Sequence, residues 1–429
     1  MRFISVQNDK IKRPTSHRIN PWEVSLFYQE QRAGSMNNIT LFSQILQQID
    51  RSIFNKAVKA YQSDKHNKGI NSWTHLTTML FCHLSKAQSI REITNGLLSA
   101  SGNLNHLGIQ GKSPSRSSLS YINGHRDWRM FREFYFLLKD DLQSRGHLGR
   151  KKFKKIKRKI YMLDSTVISL CLKVFDWAKY RQEKGAVKLH TLLDYDGCMP
   201  SYLFMTEGRQ ADVKHAQYMT LPKRSVVVAD RGYQDFSMLF NWDKNDVYFV
   251  IRLKKSINHR MIKELPLGDS NGNQKILKDE LIMLTEEQTK DDYPKQIRRV
   301  AVYDEINNKA IELITNNFSW TASTIAELYK QRWMIEIFFK ELKQHLKIKS
   351  FIGTNENAMW IQIWTALITL LLLKYLKESA KYKWSLSNLI AFLRMNLFVK
   401  ILLTEWLNNP FRPRDENAAH SRQGELFLT

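Results

Sequence analysis

The sequence has few cysteines, and they are far apart. Its 429 residues contain three, Cys82, Cys171 and Cys198, and no two of them have CxxC spacing. A disulfide framework and a zinc ribbon are therefore both unsupported, and this cysteine usage fits a reducing cytoplasm best.

The sequence also lacks an apolar run long enough to cross a membrane. The longest one, MWIQIWTALITLLLL at 359–373, has 15 residues and includes Gln362, Thr365 and Thr369. A spanning helix needs about 20 apolar residues, so we predict a buried core helix here and no membrane partner. The polar first ten residues, MRFISVQNDK, do not resemble a secretory signal.

Acidic residues are too few to balance the basic ones. Lys and Arg total 66 against 41 Asp and Glu, which gives a net charge of +25 and a pI of about 9.8. An excess of this size favours a polyanionic partner, either nucleic acid or an anionic membrane. The alternative is a generally basic protein, such as a ribosome-associated factor.

The pattern of the first third of the chain is helical. Residues 1–35 are polar and poorly patterned, which predicts a disordered extension or a misassigned start. Between 36 and 149 apolar residues recur at spacings of three and four, which predicts an all-helical domain. Residues 150–160, RKKFKKIKRKI, carry eight cations and form a basic linker that could also contact phosphates.

One part of the helical domain suits DNA recognition. Ser113-Pro114 is a typical helix start, and the helix after it carries Arg116, Tyr121 and Arg126 together with smaller polar residues. A helix, a turn and a second polar helix suit a unit that reads a DNA groove. The alternative is a helical bundle with polar surface residues.

After the linker the pattern changes from helix to strand. Residues 161–236 predict three strands, a short helix around DVKHAQYM (212–219) and a fourth, buried strand, SVVVAD. Residues 237–315 are β-rich, residues 316–400 are helical, and residues 401–429 form a polar tail. This order predicts a mixed α/β fold.

The chemistry centres on the stretch LYKQRWMIEIFFKELK, residues 328–343. On one continuous helix, at about 100° per residue, Tyr329, Arg332, Glu336 and Lys343 fall within an arc of about 60° at the edge of the buried face. Taken alone, the stripe could be a surface ion pair between Arg332 and Glu336, worth a few tenths of a kcal/mol.

Two aspartates in apolar strands favour a catalytic interpretation. Asp164 lies inside KIYMLDSTVISL, and Asp230 ends VVVAD. A buried carboxylate costs free energy unless it is paired or binds a metal. With Glu336 these acids offer oxygen ligands to Mg²⁺, and two such ions suit phosphodiester cleavage. Nearby Arg and Lys side chains would hold phosphate oxygens.

Three motifs in order carry a resemblance to a known family. The pattern Y-x2-R-x3-E-x6-K over 329–343, YMLDST around Asp164 and VVADRGY around Asp230 resemble the signatures of the insertion-sequence-four family of bacterial DDE transposases. The segment VYFVIRLK resembles the strand that follows the second Asp in that family. The resemblance covers about residues 36–400, with a β-rich block before the last acidic helix.

The resemblance implies a fold, a site and a cofactor. The fold is an RNase H-like catalytic core interrupted by a β-rich insertion and preceded by an all-helical DNA-binding domain. Asp164, Asp230 and Glu336 would be the catalytic, metal-binding triad, with Mg²⁺ as cofactor and Mn²⁺ as a substitute. The DNA-binding residues near the triad would be Tyr329, Arg332, Lys343, Arg231 and Tyr233.

The resemblance also implies an activity and partners. The protein would move an insertion sequence by cut-and-paste transposition, cleaving and joining DNA strands at terminal inverted repeats through hairpin ends. Its partners would be double-stranded repeat and target DNA and a second copy of the chain, in the bacterial cytoplasm at the nucleoid. Relatives hold a flipped base with a Trp of the insertion, and neither Trp242 nor Trp320 is clearly matched to that role.

Other functions share parts of this pattern. An RNase H-like endonuclease would cut without joining strands, using the same triad. A catalytically silent, transposase-derived protein would bind DNA only. An RNA-binding factor would explain the charge but gives no reason for carboxylates on apolar strands.

Overall fold

The computed structural model describes residues 39–411 apart from gaps at 68, 101, 111, 147, 150–152, 154, 171–184, 208–216, 218, 220, 268–274, 306–307, 347 and 349–350. The predicted extension at 1–35, most of the predicted helix at 212–219 and the end of the predicted tail lie outside these residues.

The first part of the described chain is helical. Side-chain oxygens of Thr40, Asp50, Asn71, Ser89 and Ser115 each accept a backbone N–H two or three residues further on, which explains why helices begin after them. The helices are α1 (Leu41–Leu46), α2 (Arg51–Ala60), α3 (Ser72–Ser85), α4 (Ile90–Ser99), α5 (Arg116–His125) and α6 (Arg129–Ser144).

A sheet of nine strands follows. The strands are β1 (Lys159–Leu170), β2 (Gly185–Asp194), β3 (Met199–Glu207), β4 (Ser225–Ala229), β5 (Tyr248–Arg252), β6 (His259–Glu264), β7 (Lys275–Leu284), β8 (Ile297–Asp304) and β9 (Lys309–Thr315). Their order across the sheet is β3-β2-β1-β4-β5-β9-β8-β7-β6. The β1–β4 and β4–β5 pairs are parallel, and the other pairs are antiparallel.

The β-rich segment continues this sheet. Its last strand, β9, pairs with β5, so β6 to β9 extend the sheet beyond β5. The predicted boundary at residue 237 falls inside α7 (Phe236–Lys244), which leads into β5. A local sequence pattern predicts a strand but not its partner, since pairing depends on residues far apart in the chain. A second short helix, α8 (Glu287–Asp292), lies between β7 and β8.

Helices resume after the sheet as α9 (Ala322–Lys330), α10 (Trp333–His345), α11 (Glu356–Ser379), α12 (Leu386–Asn396) and α13 (Leu403–Asn408). Helix α11 extends beyond the apolar run at 359–373, and by its total length and average hydropathy it could cross a membrane, yet 94% of its most apolar window is buried inside the protein. As the sequence predicts for 359–373, it is a core helix.

Helix α13 lies within the segment predicted as a polar tail. Leu403, Trp406 and Leu407 are buried, and the indole N–H of Trp384 donates to the Leu407 carbonyl at 2.8 Å. The tail pattern therefore begins later than residue 401, because these apolar side chains cover the end of the core.

The basic linker is held against the core at several points. Phe153 and Ile156 are buried, Lys155 pairs with Glu327 at 2.8 Å, and the Arg158 guanidinium pairs with Asp246 at 2.9 Å. Part of its charge is therefore neutralised within the protein.

Helix α5 is joined to the start of α11. The Asn357 side-chain amide donates to the carbonyls of Asn123 (3.2 Å) and Arg126 (2.8 Å), and the Asn355 amide donates to that of Gly124 (3.3 Å). A Cβ on Gly124 would lie 2.9 Å from Asn355 Nδ2, so a larger residue there would push the Asn355 side chain aside. The N-terminal helices and the C-terminal helices consequently share one hydrophobic core.

Candidate active site

Two of the predicted acids lie next to each other because their strands are parallel neighbours. Leu163 of β1 is paired with Ala229 of β4. Asp164 and Asp230 directly follow these two residues, so they lie next to each other at the same level of the sheet. All five residues of β4 are buried, which sets Asp230 at the point where the strand reaches the surface.

The Asp164 carboxyl is largely buried, with 22% of its side chain exposed. Burial raises its pKa from an ordinary 3.8 to about 6, and the nearby charges of Glu336 and Asp230 act in the same direction. The Ser165 N–H, which donates to Oδ1 at 2.8 Å, acts against the rise. A metal cation beside this carboxyl, in addition to the nearby Arg332 guanidinium, would lower the free-energy cost of ionising it.

The stretch 328–343 is two helices rather than the single helix that the sequence predicts. The N–H groups of Gln331 and Arg332 donate to carbonyls three residues back, those of Leu328 and Tyr329, instead of four. This tighter turn separates α9 from α10. Glu336 therefore lies in the first turn of α10, which packs against β1.

Arg332 connects two of the acids. Its Nη2 lies 2.7 Å from Glu336 Oε1, and its Nη1 lies 3.6 Å from Asp164 Oδ2. Burial opposes the charge of the guanidinium, but its acidic neighbours outweigh burial and raise the pKa of Arg332. The Arg332–Glu336 pair of the simpler interpretation exists, and it is part of a larger cluster.

Tyr329 holds the third acid. Its hydroxyl donates to Asp230 Oδ1 at 3.2 Å, and burial together with the Asp230 charge raises the pKa of Tyr329 to about 12. The phenol is therefore protonated at neutral pH and acts as a donor. Lys343, at the far end of α10, donates to the Val167 carbonyl of β1 at 2.7 Å.

The residues beside the second Asp differ in exposure. Arg231 is exposed, whereas Tyr233 is 2% exposed and packs into the cluster that contains Phe236 and Val247. The prediction that Tyr233 contacts DNA is therefore not supported by its position, because its ring completes an apolar core.

The three predicted DNA-contacting residues of the N-terminal helices also differ in exposure. Arg116 and Tyr121 are exposed on α5. Arg126 is 4% exposed, and its Nη2 donates to the Ile70 carbonyl at 2.8 Å and to Asp64 at 3.2 Å. Arg126 is thus a buried structural residue rather than a DNA contact.

The acids offer the ligand chemistry that Mg²⁺ prefers. Asp164, Asp230 and Glu336 supply only oxygen donors, and the raised pKa of Asp164 is the kind of cost that a bound cation removes. Among the described residues no three carboxylate, His or Cys side chains are already close enough to hold a metal. The Arg332 guanidinium lies between two of the acids and would have to turn aside.

An exposed tryptophan beside the acids was missed by the sequence reasoning. Trp333 follows Arg332 and is 59% exposed, whereas Trp242 is buried and the half-buried Trp320 packs edge-on against Tyr248. Around a helix, Trp333 falls about 200° from the buried Ile335, a spacing that could have identified it.

Two family models match parts of the chain. A family model described as a transposase DDE domain matches residues 155–372, just over half of the chain, and one described as a domain of unknown function (DUF4372) matches residues 37–110.

Three relatives are transposases by name. A probable transposase for insertion sequence element IS5377 of Geobacillus stearothermophilus is 30% identical over 54% of this chain, and the match spans 61% of that relative. The putative transposase y4zB of Sinorhizobium fredii is 28% identical over 61% of this chain and 71% of its own length. A putative transposase for insertion sequence element IS4SA of Synechocystis is 29% identical over 70% of this chain and 83% of its own length. The family match and these relatives show that the chain belongs to the insertion-sequence-four family of DDE transposases.

Proposed function

We propose that the protein moves an insertion sequence by cut-and-paste transposition, cleaving DNA at terminal inverted repeats and joining the ends to target DNA. The observation that carries the proposal is the cluster of Asp164, Asp230 and Glu336, which come from β1, the end of β4 and α10. Arg332 bridges Asp164 and Glu336, and the Tyr329 hydroxyl donates to Asp230.

The core is proposed to be RNase H-like. Strands β3, β2 and β1 are antiparallel neighbours, and β4 and β5 continue the sheet in parallel with β1. This arrangement supports the assignment, with β6 to β9 as the insertion. One acid on the first strand and another at the end of the fourth lie where adjacent strands bring them together.

Mg²⁺, or Mn²⁺ in its place, is proposed to bind to Asp164, Asp230 and Glu336. When bound, it would activate the attacking water or hydroxyl and stabilise the leaving oxygen. The protein's own groups would position the DNA. The Arg332 fork would hold a phosphate, Tyr329 would donate a hydrogen bond, and Arg231 and Lys343 would add positive charge at the two sides.

The proposed partners are double-stranded DNA and a second copy of the chain. The net charge of +25 supports binding to a polyanion. The helical segment 36–149 is proposed to bind the terminal repeats, and a homodimer would hold two ends together. The homodimer rests on the family alone, as does location at the nucleoid.

The test uses the full chain and labelled DNA that carries the inverted repeats flanking its gene. We expect cleavage at the repeat ends with Mg²⁺ or Mn²⁺, none with EDTA, and joining of cut ends to a target plasmid. Cleavage without joining would favour the endonuclease. Binding without cleavage in either metal would favour the catalytically silent protein.

Trp333 is proposed to stack on an unpaired base during hairpin formation, because it is the exposed tryptophan beside the acids. We expect Trp333→Ala to lower the yield of hairpin ends by about 5- to 100-fold, since stacking on an aromatic ring contributes about 1–3 kcal/mol per base. Trp333→Phe should restore part of it. The measurement is a denaturing gel that separates hairpin from nicked product.

Phe318→Ala is the control, because Phe318 is also an exposed aromatic residue. If Trp333→Ala formed hairpins as fast as the wild type, another group would have to serve the base.

A further inference from the structure

Helix α5 exposes an unusual face. Arg116, Ser117, Ser120 and Tyr121 are exposed along it, whereas Leu119 and Asn123 on the other side are buried. These four side chains are of types that can hydrogen-bond to a ligand or stack on it, and none of them is acidic. Tyr121 is 64% exposed, and its ring stacks on that of His125 at 4.1 Å, which limits its motion.

The surroundings of this face are basic. Between residues 86 and 126 Glu92 is the single acid in the sequence, beside the cations Arg91, Lys112 and Arg116 and two others. The Glu92 carboxylate accepts from the Gln88 N–H at 2.7 Å at the start of α4. The Glu92 carboxylate therefore lies at the start of α4, where the helix dipole favours a negative charge. The remaining charges of this surface are positive, so it favours a polyanionic partner.

A recess separates α4 from the start of α5. It has a volume of about 490 Å³, and its lining includes Arg91 and Asn95 of α4 and Ser113, Ser115 and Arg116 at the start of α5. Two guanidinium groups on opposite walls suit a chain of phosphates that passes between the helices.

Helix α5 is also held rigidly from behind. Asn123 Oδ1 lies 3.3 Å from His75 Nε2 of α3, and the last turn of α5 is bound by Asn355 and Asn357. Arg126, the buried residue that follows α5, is bonded to the Ile70 carbonyl and to Asp64. A polar helix presented on such a support has the geometry of a recognition helix, which fits the major groove of B-DNA.

We infer that α5 is the helix that reads the terminal repeat. Arg116, Ser117, Ser120 and Tyr121 contact base edges in the major groove, while Arg91 on α4 and Lys112 hold the flanking phosphates. The inference rests on the proposed function and deepens it by naming the reading surface. Double-stranded RNA should compete poorly for this surface, because its deep, narrow major groove does not admit side chains.

The test measures the affinity of full-length variants for a repeat duplex and for a scrambled duplex of the same length, by fluorescence anisotropy. Arg116→Gln and Tyr121→Ala should each weaken repeat binding by about 5- to 100-fold and scarcely change scrambled binding, since a base contact contributes about 1–3 kcal/mol. Arg91→Gln should weaken both equally and reduce the salt dependence by about one unit of slope.

Arg129→Gln is the matched control, because Arg129 is exposed on the neighbouring helix α6 and pairs with Asp127. It should bind both duplexes as the wild type does. Thermal unfolding of each variant checks that the fold is retained, and each replaced side chain is exposed. Nicking of a plasmid with Mg²⁺ is measured in parallel.

The two proposals fail in different ways. Wild-type protein that binds the repeat but never cleaves DNA contradicts the proposed function. Cleavage with unchanged preference for the repeat in Arg116→Gln and Tyr121→Ala overturns the assignment of α5 alone. Equal loss on both duplexes, or equal competition by double-stranded RNA, overturns it as well.

Discussion

Replacing Glu336 with Gln is expected to slow metal-dependent cleavage at transposon ends by on the order of a thousandfold or more. A metal ion stabilises transition-state charge by several kcal/mol, and about 1.4 kcal/mol corresponds to a tenfold change in rate. The amide keeps the shape of the side chain but is a poor metal ligand. Asp164→Asn and Asp230→Asn should behave alike.

DNA binding should be nearly unaffected by these changes, because it depends on phosphate and base contacts made by other groups. Glu341→Gln is the matched control, since Glu341 lies on the same helix and pairs with Lys374 at 3.3 Å, outside the cluster. The measurements are single-turnover cleavage rates and anisotropy titrations. Normal cleavage by any one of the three variants would show that the triad is wrongly assigned.

Replacing Asp164 with Asn is expected to stabilise the protein by about 1–3 kcal/mol at pH 7 to 8 without added metal. Burial raises the pKa of the Asp164 carboxyl to about 6 from an ordinary 3.8, and each pKa unit corresponds to about 1.4 kcal/mol. Between these values the folded state binds more protons than the unfolded state, so stability falls as pH rises. Asn avoids that cost, because it does not ionise.

The expected fall in stability with rising pH can be measured by urea unfolding between pH 4 and pH 8. The stability difference between Asp164→Asn and wild type should be smallest near pH 4 and fully developed above about pH 6. Adding Mg²⁺ should raise the unfolding midpoint of the wild type more than that of the variant. A variant that is less stable than wild type at every pH would contradict the burial cost.

Asp127→Asn supplies the opposite case. Partial burial opposes its charge, but hydrogen bonds from Arg129 outweigh burial and hold the pKa of Asp127 below its usual value. Its contribution to stability should therefore be present above the ordinary pKa and be lost as the pH falls, so Asn at this position should not stabilise the protein at neutral pH.

The sequence predicted the strands that carry Asp164 and precede Asp230 better than it predicted the surroundings of these acids. Asp164 and Asp230 were visible because each interrupts a buried apolar strand, which is a local signal. The turn at Gln331 and Arg332 could not be predicted, since no Pro or Gly marks it in the sequence. Pairing of β9 with β5 was hidden for a similar reason, as it joins distant residues.

Burial of individual side chains was the other limit. Tyr233 and Arg126 were chosen because they lie close in sequence to a motif or on a polar helix, and both point into the protein. Their residue types fit DNA contacts, but only tertiary packing decides which face of a segment is exposed. Trp333 was overlooked for the opposite reason, because a large aromatic side chain in a helical pattern is usually buried, whereas this one is exposed.

The hydrogen bonds between α5 and α11 would fix the distance from α5 to the cluster of acids. Asn355 and Asn357 tie α5, the proposed reading helix, to α11, the next helix along the chain after the one that bears Glu336. One added base pair lengthens DNA by about 3.4 Å and turns it by about 35°. If α5 reads the repeat as proposed, a repeat displaced by that step would present a different bond to the acids, so the structure would set the distance between the recognised bases and the cleaved bond.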